Sequence, residues 1–353
     1  MQHLHFDESP FDSGNSPAPQ GSQDSSNRTN NAGHGASANS ANNANASATA
    51  NAAATDAFAS WHAAPEDEHM IRLDGLPSMG FPYGGPEFNY VNIRPLRWGQ
   101  LELLARAAEQ DAVEPVIQAV GQCISQPVNQ LTIPDFYYLL YWLRINSYPA
   151  SPLYMPWRCD EPIADDSEEG FHLCNHENLS PLTKADVQIV DLEELGFTGQ
   201  LPEGLDWPRV SLLPQLFRIS RLQQYESEVE DAQEFLQEIT ATADSPKDIA
   251  QARSDLQKAR IKLKALKESL KDPSFPQNIN PGLVEVLSWT GTGTLAERNE
   301  YMLAQPDLSL FEAARQAADK WVYGVKEGVQ VKCKECGASR LFTIAVDVPT
   351  FLS

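Results

Sequence analysis

From residue 93 onward, apolar residues recur mostly at steps of three and four, and only short stretches alternate apolar with polar. The first pattern belongs to helices with one buried face, the second to half-buried strands. Trp98, Leu101, Leu104, Ala105 and Ala108 predict a first helix beginning near Pro95. Val116, Ile117, Val120 and Ile124 predict a second over residues 113–124, with Cys123 beside the stripe as a small buried thiol. Phe136, Leu139, Leu140 and Leu143 predict a third, starting at Pro134-Asp135. It stops before Tyr148-Pro149, because proline disfavours helical geometry in its predecessor. Residues 93–150 are therefore expected to form a helical subdomain.

A more regular pattern follows. Leu222, Tyr225, Val229, Ala232, Leu236, Ile239 and Ala243 alternate steps of three and four, as do Ile249, Ala252, Leu256, Ala259, Leu263, Leu266 and Leu270. Between them Ser245 suits an N-cap, Pro246 the first helical position and Asp248 the positive helix start. Two such stripes joined by a short turn predict an antiparallel coiled-coil hairpin about 30 Å long. Glu226, Glu228, Glu230, Asp231, Glu234 and Glu238 mark its first helix; Arg253, Lys258, Arg260, Lys262, Lys264, Lys267 and Lys271 mark the second. The basic face is expected to be neutralised by the partner helix rather than to bind nucleic acid. Exposed pairs are worth only ~0–1 kcal/mol each, so these charges select pairing and register. Packing within the chain and presentation to another protein both remain open for this hairpin, which with its following helices spans residues 211–324.

Residues 1–65 are a different polymer. Asn27–Ala54 is almost wholly Asn, Ala, Ser, Thr and Gly. Burial of so little apolar surface does not offset ordering entropy, so this segment is predicted to be a disordered tail, or else an arm that folds on a partner. Residues 66–92 are rich in Gly and Pro, with Phe81, Tyr83, Phe88 and Tyr90 interspersed, and read as an extended arm that lays aromatics onto the body. The predicted fold class is α+β, mainly α: a helical subdomain, the coiled-coil hairpin, and a small zinc-ribbon-like β element from residues 151–210 and 325–353.

The 353 residues include 26 Lys+Arg against 48 Asp+Glu, a formal charge of -22. In the tail, Asp7, Glu8, Asp12, Asp24 and Asp56 against Arg28 hold -4 of this, leaving -18 on the remainder. That sign argues against nucleic acid and anionic membranes as principal partners. No run approaches the ~18 apolar residues of a membrane span, and the first residues show no secretory signal. In the cytosolic setting this implies, the five cysteines are expected to be metal ligands or core thiols rather than disulfides.

Near the end an alternating strand runs into Cys333-Lys334-Glu335-Cys336-Gly337, and alternation resumes over Arg340–Val346. This is the pattern of a zinc knuckle, two thiolates converging from one tight turn that a glycine relieves. A redox Cys-x-x-Cys would open a helix instead. A structural zinc takes four ligands, so two more are needed. Trp157-Arg158-Cys159 ends one extended segment and Phe171–His176, with Cys174, begins another. The acidic loop Asp160–Gly170 lies between them, with Asp160, Glu161, Asp165, Asp166, Glu168 and Glu169. We predict a structural Zn2+ held by Cys159, Cys174, Cys333 and Cys336, with His176 as the substitute for Cys159. Such a site has no vacant position for substrate. Walker, dinucleotide, His-Glu-x-x-His and Gly-x-Ser-x-Gly motifs are absent from the sequence. Thr290-Gly-Thr-Gly-Thr294 lacks the lysine of a phosphate loop and reads as a loop plus a capping box with Glu297. No catalytic or cofactor-binding residues are assigned, and no enzyme is expected.

The order of parts carries a resemblance. Asn92-Ile-Arg-Pro-Leu96, a helical pair, and Asp135–Tyr148 with Leu143, Arg144 and Ser147 precede a first cysteine pair. An acidic strand segment (Val187–Leu192), a long helical middle and the late Cys-x-x-Cys follow. Over about residues 92–195 and 210–347 this resembles the baseplate hub assembly proteins of contractile-tailed, T-even-like bacteriophages. The resemblance implies a factor that builds the hub, as virion component or released chaperone, with other tail baseplate or hub proteins as partners and self-association open. It places the chain in the host cytoplasm or the virion tail baseplate, with Arg144 and Ser147 structural. The first cysteine pair is stretched by the acidic loop, and the Asn/Ala tail has no counterpart in that pattern. The alternative is a zinc-ribbon regulator of nucleic acid or RNA polymerase, which requires a basic face. A metalloenzyme would require an open coordination position.

Overall fold

The computed structural model describes Trp61 and residues 69–147, 153–164, 171–182, 188–242, 245–276, 280–326 and 328–343. Apart from Trp61, the expected tail lies outside these residues, as do residues 165–170 of the acidic loop and the chain beyond residue 343. The described part is mainly helical, with small antiparallel sheets.

Strands Ile71–Asp74 (β1) and Tyr90–Ile93 (β2) pair antiparallel, Ile71 opposite Ile93 and Asp74 opposite Tyr90, so the aromatic arm doubles back on itself. The loop between them is tight enough that a Cβ on Gly80 (φ 77) would lie 2.4 Å from the Gly85 carbonyl oxygen, an approach only glycine permits. Tyr83 and Tyr90 are buried. Trp61 is buried with them, although composition placed it in the tail. Its ring stacks on Tyr83 with centroids 4.2 Å apart, and its indole N–H donates to the Tyr90 carbonyl at 3.1 Å. The Trp61 carbonyl accepts from Gln126 Nε2 at 3.3 Å. One large aromatic ring buries a large apolar area, and its N–H finds a partner here.

Helices Trp98–Gln110 (α1), Glu114–Gly121 (α2) and Ile133–Ser147 (α3) form a common core with the arm. Cys123 is buried in it, and burial pushes its thiol up to about 11. In α3 the expected stripe of Phe136, Leu139, Leu140 and Leu143 is buried, but so are Tyr141, Trp142 and Arg144. A helix apolar on every side is enclosed rather than laid on a surface. In its first turn Asp135 is fully buried. It accepts from the Ser78 N–H at 3.0 Å and from the Tyr83 hydroxyl, which in turn accepts from the Thr132 N–H at 3.0 Å. Burial raises the Asp135 pKa above 3.8, while these hydrogen bonds pull against it.

Short strands follow: Leu153–Arg158 (β3), Pro162–Ala164 (β4), Phe171–Leu173 (β5), Glu177–Leu182 (β6) and Ile189–Val190 (β7). β3 pairs with β6, and β4 with β5. Then come the two long helices, Leu213–Thr242 (α4) and Pro246–Ser269 (α5), the second with Ser245 at its N-cap and Pro246 in its first turn. Lys267 pairs with Glu226 at 2.8 Å and Arg260 donates to Gln233 at 3.3 Å. Seven residues forward on one helix match seven back on the other, so the helices run antiparallel in one register. Neutralisation of the basic residues is divided, since Lys258 pairs at 3.0 Å with Asp255 of its own helix.

Helices Pro281–Ser288 (α6), Leu295–Leu303 (α7) and Ser309–Lys320 (α8) enclose an aromatic cluster in which Phe197 meets Trp207 and Trp321 at 5.2 and 5.0 Å. Thr294 and Glu297 form the expected capping box. Arg298 is buried beside it, donating to the carbonyls of Ser288, Thr290 and Gly293 at 2.8, 2.7 and 3.1 Å. The described residues close with Gly324–Val325 (β8), paired to β7, and the hairpin of Gly328–Lys332 (β9) with Ser339–Thr343 (β10). Among the described residues no helix is long and apolar enough to cross a membrane.

Trp61→Ala is expected to cost about 3–5 kcal/mol in urea unfolding, the loss typical of a buried aromatic. A second test concerns Asp135. With its folded pKa above the unfolded value, the native state holds a proton that the unfolded chain has lost. Its contribution is therefore fully present below pH 3.8 and declines as pH rises through the folded pKa. The stability difference between wild type and Asp135→Asn should shift against wild type with rising pH; a pH-independent difference would contradict this.

Candidate metal centre

Both cysteine-bearing hairpins end in the same turn. β3 runs into Cys159 and β6 resumes after His176, with Arg158 opposite Glu177 as the last pair. β9 runs into Cys333 and β10 resumes after Ala338, with Lys332 opposite Ser339 as the last pair. The Cys159 N–H donates to the His176 carbonyl at 3.0 Å, and the Cys333 N–H to that of Ala338 at 2.9 Å. Returning bonds run from the Asn175 N–H to the Cys159 carbonyl at 2.9 Å and from the Gly337 N–H to the Cys333 carbonyl at 3.1 Å. Asn175 and Gly337 are both left-handed, with φ of 54 and 74. Asparagine is the side-chain-bearing residue that best tolerates that geometry.

The first turn is thus a Cys-x-x-Cys turn with a hairpin inserted in it. The β4–β5 pair leaves after Glu161 and returns at Cys174, whose N–H donates to the Glu161 carbonyl at 2.9 Å and closes the gap. The long sequence separation of Cys159 and Cys174 conceals a short spatial one.

The two turns face each other. Cys159 Sγ lies 3.6 Å from Cys336 Sγ, and Cys174 Sγ lies 3.8 Å from Cys333 Sγ. All four sulfurs lie within 4.8 Å of one another. A disulfide would bring sulfurs to ~2.05 Å. A tetrahedron with metal–sulfur bonds of ~2.3 Å has edges of ~3.8 Å, close to the 3.6 and 3.8 Å of these two approaches. Cys159 and Cys333 are buried, Cys174 and Cys336 half-buried. Tyr141 of α3, Trp157, Val329 and Val331 pack around them.

Asn178 joins the two turns. It is buried, its Nδ2 donates to Cys333 Sγ at 3.4 Å and to the His176 carbonyl at 3.1 Å, and its Oδ1 accepts from the Lys334 N–H at 3.0 Å. The backbone also solvates the sulfurs. Burial pushes the Cys333 thiol up, but the N–H of Cys336, the Asn178 amide and the N–H of Glu335 outweigh it and bring it down to about 6. At Cys159 the N–H of Glu161 lowers the pKa, yet burial and the three neighbouring sulfurs push it up to about 12. Cys174 is likewise raised, by burial and by Cys336 and Cys333, against the N–H of His176. Four thiolates this close repel, and a cation at their centre removes that conflict. Four soft donors with buried apolar surroundings fit a thiophilic divalent ion.

The four cysteines proposed from the sequence are therefore the residues brought together, whereas His176 contributes its carbonyl to the turn. Asn178 and Asn175 were not singled out from the sequence. The one available signal was positional, since Asn175 follows Cys174 as Gly337 follows Cys336. No family model, curated protein or solved structure matches this chain.

Asn178→Ala is expected to weaken binding of Zn2+ or Co2+ by roughly 10–100-fold, as loss of a ligand-orienting group does. Competition with a chromophoric chelator measures it, and unchanged affinity would remove Asn178 from the site.

Proposed function

We propose that the four cysteines hold one structural Zn2+, and that the protein is a non-enzymatic assembly or structural component. The match between the sulfur separations and the edge of a zinc tetrathiolate carries this reading. Four sulfurs fill four positions, so no vacant position is left for water or substrate. The two turns then make a zinc-ribbon-like element whose halves are far apart in sequence, Cys174 and Cys333 being 159 residues apart. Binding energy on the order of 10 kcal/mol becomes folding energy when a metal joins such parts. The two long helices serve as a coiled-coil arm presented to a partner, an assignment supported by their constant register and by the exposure of Phe235 and Ile261.

Within that class we propose a factor in building the baseplate hub of a contractile-tailed phage, acting in the host cytoplasm or in the tail itself. The supporting observation is that the two segments carrying the resemblance meet. The Leu96 N–H donates to Ser147 Oγ at 2.8 Å, joining Asn92–Leu96 to the end of α3. Arg144 is buried one turn earlier, on the helix that also places Tyr141 against the cysteines. The proposed partners are other hub or baseplate proteins, or a second copy of this chain.

Metal analysis of the purified protein should give one zinc per chain, and Cys333→Ser with Cys336→Ser should abolish it and lower Tm. Capture from infected cells should recover tail proteins. Recovery of RNA polymerase instead would support the zinc-ribbon regulator and overturn the hub reading.

A further inference from the structure

We propose that peroxide converts this cluster into disulfides joining the same two hairpins, so that the clamp survives loss of its metal. The inference rests on the thiolate site described above and concerns what replaces the ion. The short approaches Cys159–Cys336 and Cys174–Cys333, at 3.6 and 3.8 Å, each link the β3–β6 hairpin to the β9–β10 hairpin. Each joins a half-buried sulfur to a buried one. The half-buried member is open to a small oxidant, and the buried member is held beside it as the resolving group. Pairing within one turn is less suited. A thioredoxin-like redox Cys-x-x-Cys goes with a βαβ pattern, whereas Cys333 and Cys336 occupy a strand-to-strand turn whose Gly337 N–H is bonded to the Cys333 carbonyl.

The chemistry balances with hydrogen peroxide as the oxidant. The Cys336 thiolate attacks one peroxide oxygen, the O–O bond breaks, and a sulfenic acid and hydroxide form. The Cys159 thiolate then attacks that sulfur, the S–S bond forms and the S–O bond breaks, releasing a second hydroxide. Two sulfurs lose two electrons in total and one peroxide gains them. Cys174 and Cys333 repeat the sequence with a second peroxide. Zinc leaves as Zn2+ without changing oxidation state, and a dithiol reductant with added Zn2+ reverses the whole.

The test uses the full chain, with peroxide titrated against a zinc-responsive dye and the product digested without reduction for mass spectrometry. The expected result is release of one Zn2+ with peptides linked Cys159–Cys336 and Cys174–Cys333. The oxidised protein should also keep a Tm above that of the chelator-treated, reduced protein. In Cys336→Ser, Cys174–Cys333 alone should form. Cross-links of these two pairs in protein that never held zinc would support the inference while removing the zinc reading. Zinc release accompanied only by a Cys333–Cys336 link, or by sulfinic and sulfonic acids, would overturn the inference and leave the zinc reading standing.

Discussion

Helix α3 is covered around most of its circumference, and the described fold is arranged to enclose it. Phe136, Leu139 and Leu143 face the helical core, while Tyr141 faces the cysteines. A helix with apolar residues on so many sides is stable only where neighbours cover most of its circumference. Asp135 at its start draws in Ser78 and Tyr83 of the arm, and Ser147 at its end holds Leu96. Pro134 packs so closely on β8 that a Cβ at Gly324 would come within 3.0 Å of its ring. The arm, the helical core and the cysteine lobe are thus tied to one element, and a fault in it reaches all three.

The cysteine lobe solves a second problem. Its two hairpins are short and two-stranded, and isolated hairpins of that size are marginal in water. Their small apolar cluster of Tyr141, Trp157, Val329 and Val331 is modest support. Sulfur donors at the meeting point supply the remainder if a metal binds them. The buried Asn178 holds both turns in the orientation that directs four sulfurs inward. The inserted β4–β5 pair sits at the edge of this arrangement and leaves the turn geometry unchanged, because the bond from Cys174 to the Glu161 carbonyl bridges its base.

Acidity looks different once placed on the fold. Glu226 of α4 engages Lys267 of α5, and Asp111 holds Arg221 and the Tyr225 hydroxyl, fastening the base of the long helices to the end of α1. Exposed pairs of this kind add little stability but discriminate among registers. Among the described residues Asp135 is the one buried carboxylate, and the others are half-buried or exposed.

Periodicity and turn chemistry determined much of this protein unaided. The three core helices, the two long helices with Ser245 capping the second, the Thr294–Glu297 cap and the Cys333–Cys336 turn all follow from local pattern, because each is set by neighbours a few residues away. Three features were decided only in three dimensions. Trp61 belongs to the core because a cavity walled by Tyr83, Tyr90 and Gln126 receives it, which no composition of its own segment reveals. α3 is buried well beyond its stripe because elements from both ends of the described chain converge on it, so its helical stripe understated its burial. Cys159 and Cys174 form one tight turn despite their separation, because hydrogen bonds across the base of an inserted hairpin restore the geometry that spacing alone concealed. Local sequence specifies what each segment becomes; long-range burial and hydrogen bonding specify which segments share a site.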